Sequence, residues 1–270
     1  MRQESIVRLA TFPPVLALVS FSTSSRQPLL ESHFRIGLVT PLAASSSAAS
    51  AARGVRLGAA EAKQTAKLFG GDVELYEASG SGDSGAVAAA RRLSSARQVQ
   101  VLIGASPTDA DALSRFSESR GILFFNVASR ASSLRAACRR HTFHVDASST
   151  GNGSDSLVLW SPTLQRFGAA QINDRYQRKY GIPMDGQAWA GWAAAKIASE
   201  AALRVRSTKP ARLLAYLESP ENRFDGHKGR PLTFSAADHQ LLQPLYTRDA
   251  NDVPDRSIDS SSPTCPWSKR

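Results

Sequence analysis

The chain of 270 residues contains only two cysteines, Cys138 and Cys265. That count excludes a disulfide framework and any multi-cysteine zinc site, and it leaves room for at most one bridge, with Cys265 set in a polar C-terminal stretch. No apolar run reaches the roughly 20 residues that span a bilayer. Although the net charge is +10, no block of five or more like charges occurs. The Arg and Lys residues are dispersed, and no nucleic-acid reader motif accompanies them, so the charge reads as a solvated surface and not as a nucleic-acid site. The five histidines, His33, His141, His144, His227 and His239, form no HExxH or carboxylate-paired spacing. Nucleophile elbow and P-loop are likewise missing, which leaves catalysis, metal and cofactor without support from any motif.

What is present is order along the chain. Residues 1–25 carry Arg2 and Arg8, an apolar run from Leu9 to Phe21, then small residues including Ser20 and Ser22. That succession resembles a secretory signal peptide and implies an exported protein, although Glu4, Pro13 and Pro14 depart from the pattern. From Phe34 the strand-like runs FRIGLV, DVELYEA, VQVLIG and ILFFNV alternate with helix-period segments GVRLGAAEAKQTAKLF, SGAVAAARRLSSA and PTDADALSRFSES. Strands alternating with helices predict an α/β fold with a parallel, doubly wound sheet. A short helix near SSLRAAC and a fifth strand, TFHV, complete a first α/β lobe over residues 34–148. The alternation stops in HVDASSTGNGSD. Residues 157–246 then read as helices SPTLQRFGAAQINDRYQRKY, DGQAWAGWAAAKIASEAALRV and ARLLAYLES, followed by a strand or hairpin in FDGHKGRPLTF. The last stretch, 247–270, is rich in Asp, Ser, Pro and Arg and is expected to be disordered.

GSGDSG at Gly80–Gly85 satisfies the dinucleotide pattern G-x-G-x-x-G between a strand and a helix, through Gly80, Gly82 and Gly85. It follows the second strand and not the first, and no acidic residue stands at the end of the next strand to hold a ribose. An NAD-type Rossmann-like enzyme is therefore the lesser alternative. In an open α/β sheet ligands collect beyond the carboxyl ends of the strands, which here are TPLAASSS, the glycine turn, GASPTD and NVASRAS. Ser106 before Pro107 is placed to start a helix and to hold a carboxylate there. Arg130 can add a charge-assisted bond to an anion, and Asn126 and Ser129 supply neutral donors.

Taken in order, FRIGLVTPL, GVRLGAAEAKQ, YEASGSGDSGAVAAARRL, VQVLIGASPTDADALSRFSESRGILFFNVASRASSLR and FHVDAS resemble the first lobe of periplasmic solute-binding proteins of the leucine/isoleucine/valine type. GAAQINDRYQRKYGIPMDGQAWAGWAAAKIASEAALRV is similar to that family's later helical segment. PARLLAYLESPENRFDGHKGRPLTFSAADHQLLQPLY looks most like a branch associated with PQQ-dependent alcohol oxidation systems. The resemblance covers residues 34–246. It implies a non-enzymatic, periplasmic component of an ABC importer that binds a small carboxylate-bearing solute, such as an amino acid or an alcohol-oxidation metabolite, and delivers it to an inner-membrane permease. It places Ser106 on the family's ligand-carboxylate serine, backbone contacts at Ala128 and Ser129, and Arg130 where a ligand-contacting threonine usually stands. It also implies that residues 149–156 are a seam replacing most of a second lobe. A helix AWAGWAAAKIASEAAL left without that lobe is expected to expose apolar surface and to favour self-association. A degenerate fragment that binds nothing is the remaining alternative.

Overall fold

The computed structural model describes residues 33–147, 157–247, 256–257 and 265–269. Five parallel strands, β1 (Phe34–Thr40), β2 (Val73–Ser79), β3 (Val101–Gly104), β4 (Leu123–Asn126) and β5 (Thr142–His144), form one sheet in the order β2-β1-β3-β4-β5. Between them lie α1 (Ser46–Leu68), α2 (Gly82–Ala96), α3 (Ala110–Arg120) and the short α4 (Ser132–Ala136). The strands alternate faces, as a period of two requires. Leu102 and Phe124 pack toward α2 and α3 with Ala86, Ala89 and Leu113. Val101, Ile103, Leu123 and Phe125 pack on the opposite face in the larger core. Both faces are thus buried, which explains the near-continuous apolar runs in these strands.

The expected parallel, doubly wound α/β fold is what forms, with shifted boundaries. α1 begins eight residues before its sequence-read start at Gly54. Ser45 accepts a hydrogen bond from the Ala48 amide at 3.2 Å, so SSSAAS is the helix start and not rim loop. The helix expected from Ser161 instead begins at Ala169, as α5 (Ala169–Tyr180). Phe167 and Gly168 both sit at positive φ, 56° and 84°, and interrupt it.

α6 (Gly186–Val205) lies against α1, and both helices are built of small residues where they cross. A Cβ added at Gly54 would fall 1.9 Å from the Ala188 carbonyl oxygen, and one at Gly191 2.2 Å from that of Ala51. This backbone-to-backbone approach buries Trp189 and Trp192 completely enough that they are 0% and 1% exposed. The apolar face expected to be exposed on AWAGWAAAKIASEAAL is therefore covered by α1, and the premise for self-association through it is gone. Among the described residues the large exposed apolar side chains are Leu42, Leu68, Phe69, Phe167 and Ile182, at loops and helix ends. No helix among the described residues is long and apolar enough to cross a membrane.

α7 (Pro210–Glu218) precedes the antiparallel β7 (Phe224–Asp225), β8 (Pro231–Phe234) and β9 (Leu241–Leu242). A second small antiparallel sheet joins β6 (Leu157–Val158), β10 (Pro244–Thr247) and β11 (Arg256–Ser257). The C-terminal stretch is not wholly disordered as expected. β11 pairs with β10, and Cys265 is disulfide-bonded to Cys138 across 127 residues of sequence, just before a 3-10 turn at Pro266–Lys269. The bridge holds Cys265 against the fold, and the Cys265 amide donates to the Ala237 carbonyl at 2.8 Å. The expected signal peptide and the 149–156 seam lie outside the described residues.

Candidate functional site

Three of the sequence-selected residues are devoted to holding one loop. Asn126, at the end of β4, accepts from the Ser129 amide at 2.8 Å and the Ala128 amide at 3.3 Å through Oδ1, while its Nδ2 donates to the Ser129 carbonyl at 2.7 Å. The two amides expected to meet a ligand are thus already satisfied by a buried side chain. What the loop presents is the next residue, Arg130, whose Nε is buried and has no hydrogen-bond partner among the described residues. Ser106 is 6% exposed. Its hydroxyl shares a 2.9 Å hydrogen bond with that of Thr108, which in turn donates to Asp109 at 3.1 Å. α3 starts at Ala110 with Asp109 as its N-cap, so Ser106 is a rim hydroxyl three residues outside the helix and not its cap.

Beyond the end of β5 the chain turns into Asp146, which the sequence reading did not single out. Asp146 is 1% exposed. Its Oδ1 accepts from the Ala147 amide at 2.7 Å, and its Oδ2 has no partner among the described residues. Burial pushes this carboxyl up to about 6, against the pull of the Ala147 amide, Arg130, Arg135 and Gln187. Gln187 comes near enough to ease the ionisation without closing a hydrogen bond of normal length.

A cleft of about 460 Å³ opens at this point, lined by Arg130, Asp146, Trp160, Asp185 and Gln187 together with apolar side chains that include Leu159 and Leu245. Of the five residues singled out in the sequence, Arg130 lines it, and Ser106, Asn126, Ala128 and Ser129 do not. Its polar groups are fixed by their elements. Asp185 caps α6 by accepting from the Ala188 amide at 2.8 Å and also takes the Ser50 hydroxyl at 2.6 Å. Trp160 stacks on Trp189 with ring centroids 6.0 Å apart, and its Nε1 donates to Asn173 at 2.7 Å.

Behind the cleft a buried polar network sets the floor. Arg135, from α4, donates to the Asp146 carbonyl at 2.6 Å, to Gln240 Oε1 at 2.8 Å and to the Ala131 carbonyl at 3.2 Å. Burial lowers its pKa to about 10, with Asp146 and Asp238 opposing, so it stays charged at neutral pH. Gln240 returns hydrogen bonds to the carbonyls of His144 and Asp146 at 3.1 and 3.0 Å, and Gln243 donates to Val145 at 2.7 Å. Side-chain amides near the C-terminus thereby satisfy the backbone where β5 ends. Lys228 is also buried, donating to Gln243 and the Pro244 carbonyl at 2.7 and 2.9 Å, with Nζ 3.8 Å from the Trp189 ring. Burial holds its pKa well below the usual lysine value, against the attraction of Asp146.

The glycine turn has a packing role. A Cβ at Gly80 would lie 2.0 Å from the Gly85 carbonyl oxygen, so the turn folds onto the first turn of α2 with no room between them.

Residues 33–161 match the sequence model of the periplasmic binding protein family. No curated protein matches the chain. Among solved structures it is similar to a branched-chain amino acid ABC transporter periplasmic ligand-binding protein of Burkholderia xenovorans, with a TM-score of 0.64 and 14% identity over 87% of this chain and 100% of that one. A solute-binding protein of an R. palustris ABC transporter, in complex with benzoate, superimposes with a TM-score of 0.67 and 12% identity over 87% and 100% of the two chains. The leucine-, isoleucine-, valine-, threonine- and alanine-binding protein of Brucella ovis, in its closed conformation, gives 0.69 and 10% over 87% and 97%. The chain thus has the fold of a type 1 periplasmic-binding-protein lobe, and its residues 33–161 also match the sequence model of the periplasmic binding protein family.

Proposed function

We propose that this chain is the solute-binding component of an ABC importer, exported to the periplasm, and that it takes a small carboxylate-bearing solute without transforming it. One observation carries the reading: the buried Arg130 Nε without a partner, at the mouth of a cleft beyond the carboxyl ends of the strands. A buried guanidinium nitrogen left without a partner is costly, and an anion filling the cleft would relieve the cost. The Cys138–Cys265 bridge supports export, because an oxidising compartment preserves disulfides. Asn126, Ala128 and Ser129 form the loop that presents Arg130, and Ser106 lies on the same rim, where it would contact a larger ligand.

In this reading the partner is an inner-membrane permease, and the solute belongs to the chemistry of amino acids or of PQQ-dependent alcohol oxidation. The two small antiparallel sheets stand in for most of a second lobe, with residues 149–156 as the seam. The alternatives make different predictions. A dehydrogenase would be stabilised by NAD, and a non-binding fragment would be stabilised by nothing. A thermal-shift panel of amino acids, small carboxylates, alcohol-oxidation metabolites and NAD on the purified chain separates them. The expected result is saturable stabilisation by a carboxylate, of a few kcal/mol at a concentration well above Kd. The effect should be lost in Arg130→Gln, while Ser106→Ala should weaken it only for ligands large enough to reach beyond the cleft to the rim. Stabilisation by NAD alone, or by nothing on the panel, would refute the proposal.

A further inference from the structure

Asp146 presents a carboxylate oxygen with no partner among the described residues at the same cleft as Arg130. The two side chains form no ion pair with each other, although each brings one buried atom without a partner, Arg130 Nε and Asp146 Oδ2, to one cavity. Each is held in place by its own element. Arg130 follows the loop that Asn126 ties together, and Asp146 has its carbonyl gripped by Arg135 and Gln240 and its Oδ1 by the Ala147 amide. A carboxylate oxygen left without a partner on a side chain that is 1% exposed points to a group supplied from outside.

We infer that Asp146 is the specificity-determining residue of the cleft, accepting a hydrogen bond from a hydroxyl or ammonium group of a solute whose carboxylate rests on Arg130. This rests on the carboxylate-binding reading above. The two poles lie within a single lobe, so recognition of both ends of the solute needs no second lobe. The rest of the cleft fits such a bifunctional acid. Trp160, Leu159 and Leu245 line it with apolar surface for the solute's body, and Gln187 adds a neutral amide. Bare monocarboxylates would leave the Asp146 Oδ2 buried and without a partner, and a site that offers a buried hydrogen-bonding group discriminates strongly against a ligand that cannot use it.

The charged groups facing Asp146 come from each element around it: Arg130 from the β4–α4 loop, Arg135 from α4, Lys228 from the β7–β8 hairpin, and Asp185 beside the α6 N-terminus. The carboxyl, pushed up to about 6 by burial, is ionised at pH 7.5 and mostly protonated at pH 5. As an acid it can donate but no longer attract a cation, so preference for an ammonium head should shrink as the pH falls.

The test uses matched probes that differ at one position, titrated calorimetrically into the purified full-length chain: L-leucine, 2-hydroxy-4-methylpentanoate and 4-methylpentanoate, then mandelate and phenylacetate. In the native chain at pH 7.5 the amino or hydroxy member of a series should bind at least tenfold more tightly than its unsubstituted partner. In Asp146→Asn that ratio should fall below about threefold. At pH 5 the amino acid's advantage should narrow in the native chain and stay flat in the variant. Equal binding within each series, or a preference that survives Asp146→Asn in a chain with native near-ultraviolet dichroism, overturns the role of Asp146 and leaves the carboxylate reading standing. Binding by none of the five overturns both.

Discussion

Asp146 places stability and binding in opposition. Its carboxyl is raised from 3.8 to about 6, chiefly by burial, so the folded state holds the proton more tightly than the unfolded chain does. Below pH 4 both states are protonated and nothing is lost. As pH rises through 6 the folded state must bury a charge, and stability falls. Asp146→Asn removes that cost while keeping the shape. The variant should be more stable than the native chain at pH 7.5, by about 1–3 kcal/mol in urea melts, with the difference closing near pH 4. A variant less stable at pH 7.5 would show that the carboxylate is satisfied after all. Arg135 is the opposite case. Its guanidinium holds four acceptors spread over the β4–α4 loop, the end of β5 and Gln240. Arg135→Met leaves those acceptors buried and unpaired, and should cost about 3–5 kcal/mol by the same denaturation assay. Sequence reading found Arg130 because a rim position and a charge coincide there. It missed Arg135 and Asp146 because what matters about them is set by Gln240, 105 residues from Arg135, and by burial that no local pattern encodes.

At the scale of elements, the two longest helices decide whether the sheet is covered. Gly in a helix interior is worth about 1 kcal/mol less than Ala, so propensity alone favours Gly191→Ala. A Cβ there would sit 2.2 Å from the Ala51 carbonyl oxygen, and helix backbones cannot part without opening the core. Contact should win over propensity. Gly191→Ala is expected to destabilise by more than about 2 kcal/mol and to lower the cooperativity of the melt, where a solvent-exposed glycine would have given a gain. The parallel strands β1, β3 and β4 were legible as apolar runs, since burial on both faces leaves no alternation to mislead, and the half-buried edge strand β2 was legible from its place between two helical segments. The two-residue β6 and β9 were not legible, because such short strands are fixed by their partners and carry no period of their own. The start of α5 was misread for a local reason: the Phe167–Gly168 pair adopts positive φ, which in a helical pattern shows only as a tolerated glycine.

Across the whole molecule, the C-terminal half packs on the first lobe through the crossing of α6 on α1 and is tied to it again further along the chain. Gln240 and Gln243 meet the end of β5, and Cys265 reaches Cys138 at the end of α4. A cross-link spanning 127 residues restricts the unfolded chain strongly, by about 2–5 kcal/mol. Reduction, or Cys265→Ser, should lower the melting temperature by roughly 5–15 °C in calorimetry, and an unchanged melt would mean that the bridge does not form in the purified protein. Polar composition suggested disorder for this stretch, and one cysteine pair far apart in sequence is enough to tie it down. The cleft is lined from both parts, with Arg130 and Asp146 on the first lobe and Leu245 and Gln187 on what returns to it. Isothermal titration of small carboxylates into the native chain and Arg130→Gln, side by side, tests most directly whether that cleft binds a solute. Saturable binding at one site per chain, weakened at least tenfold in the variant, is the expected result. No heat from any carboxylate, or binding that Arg130→Gln leaves unchanged, would contradict it.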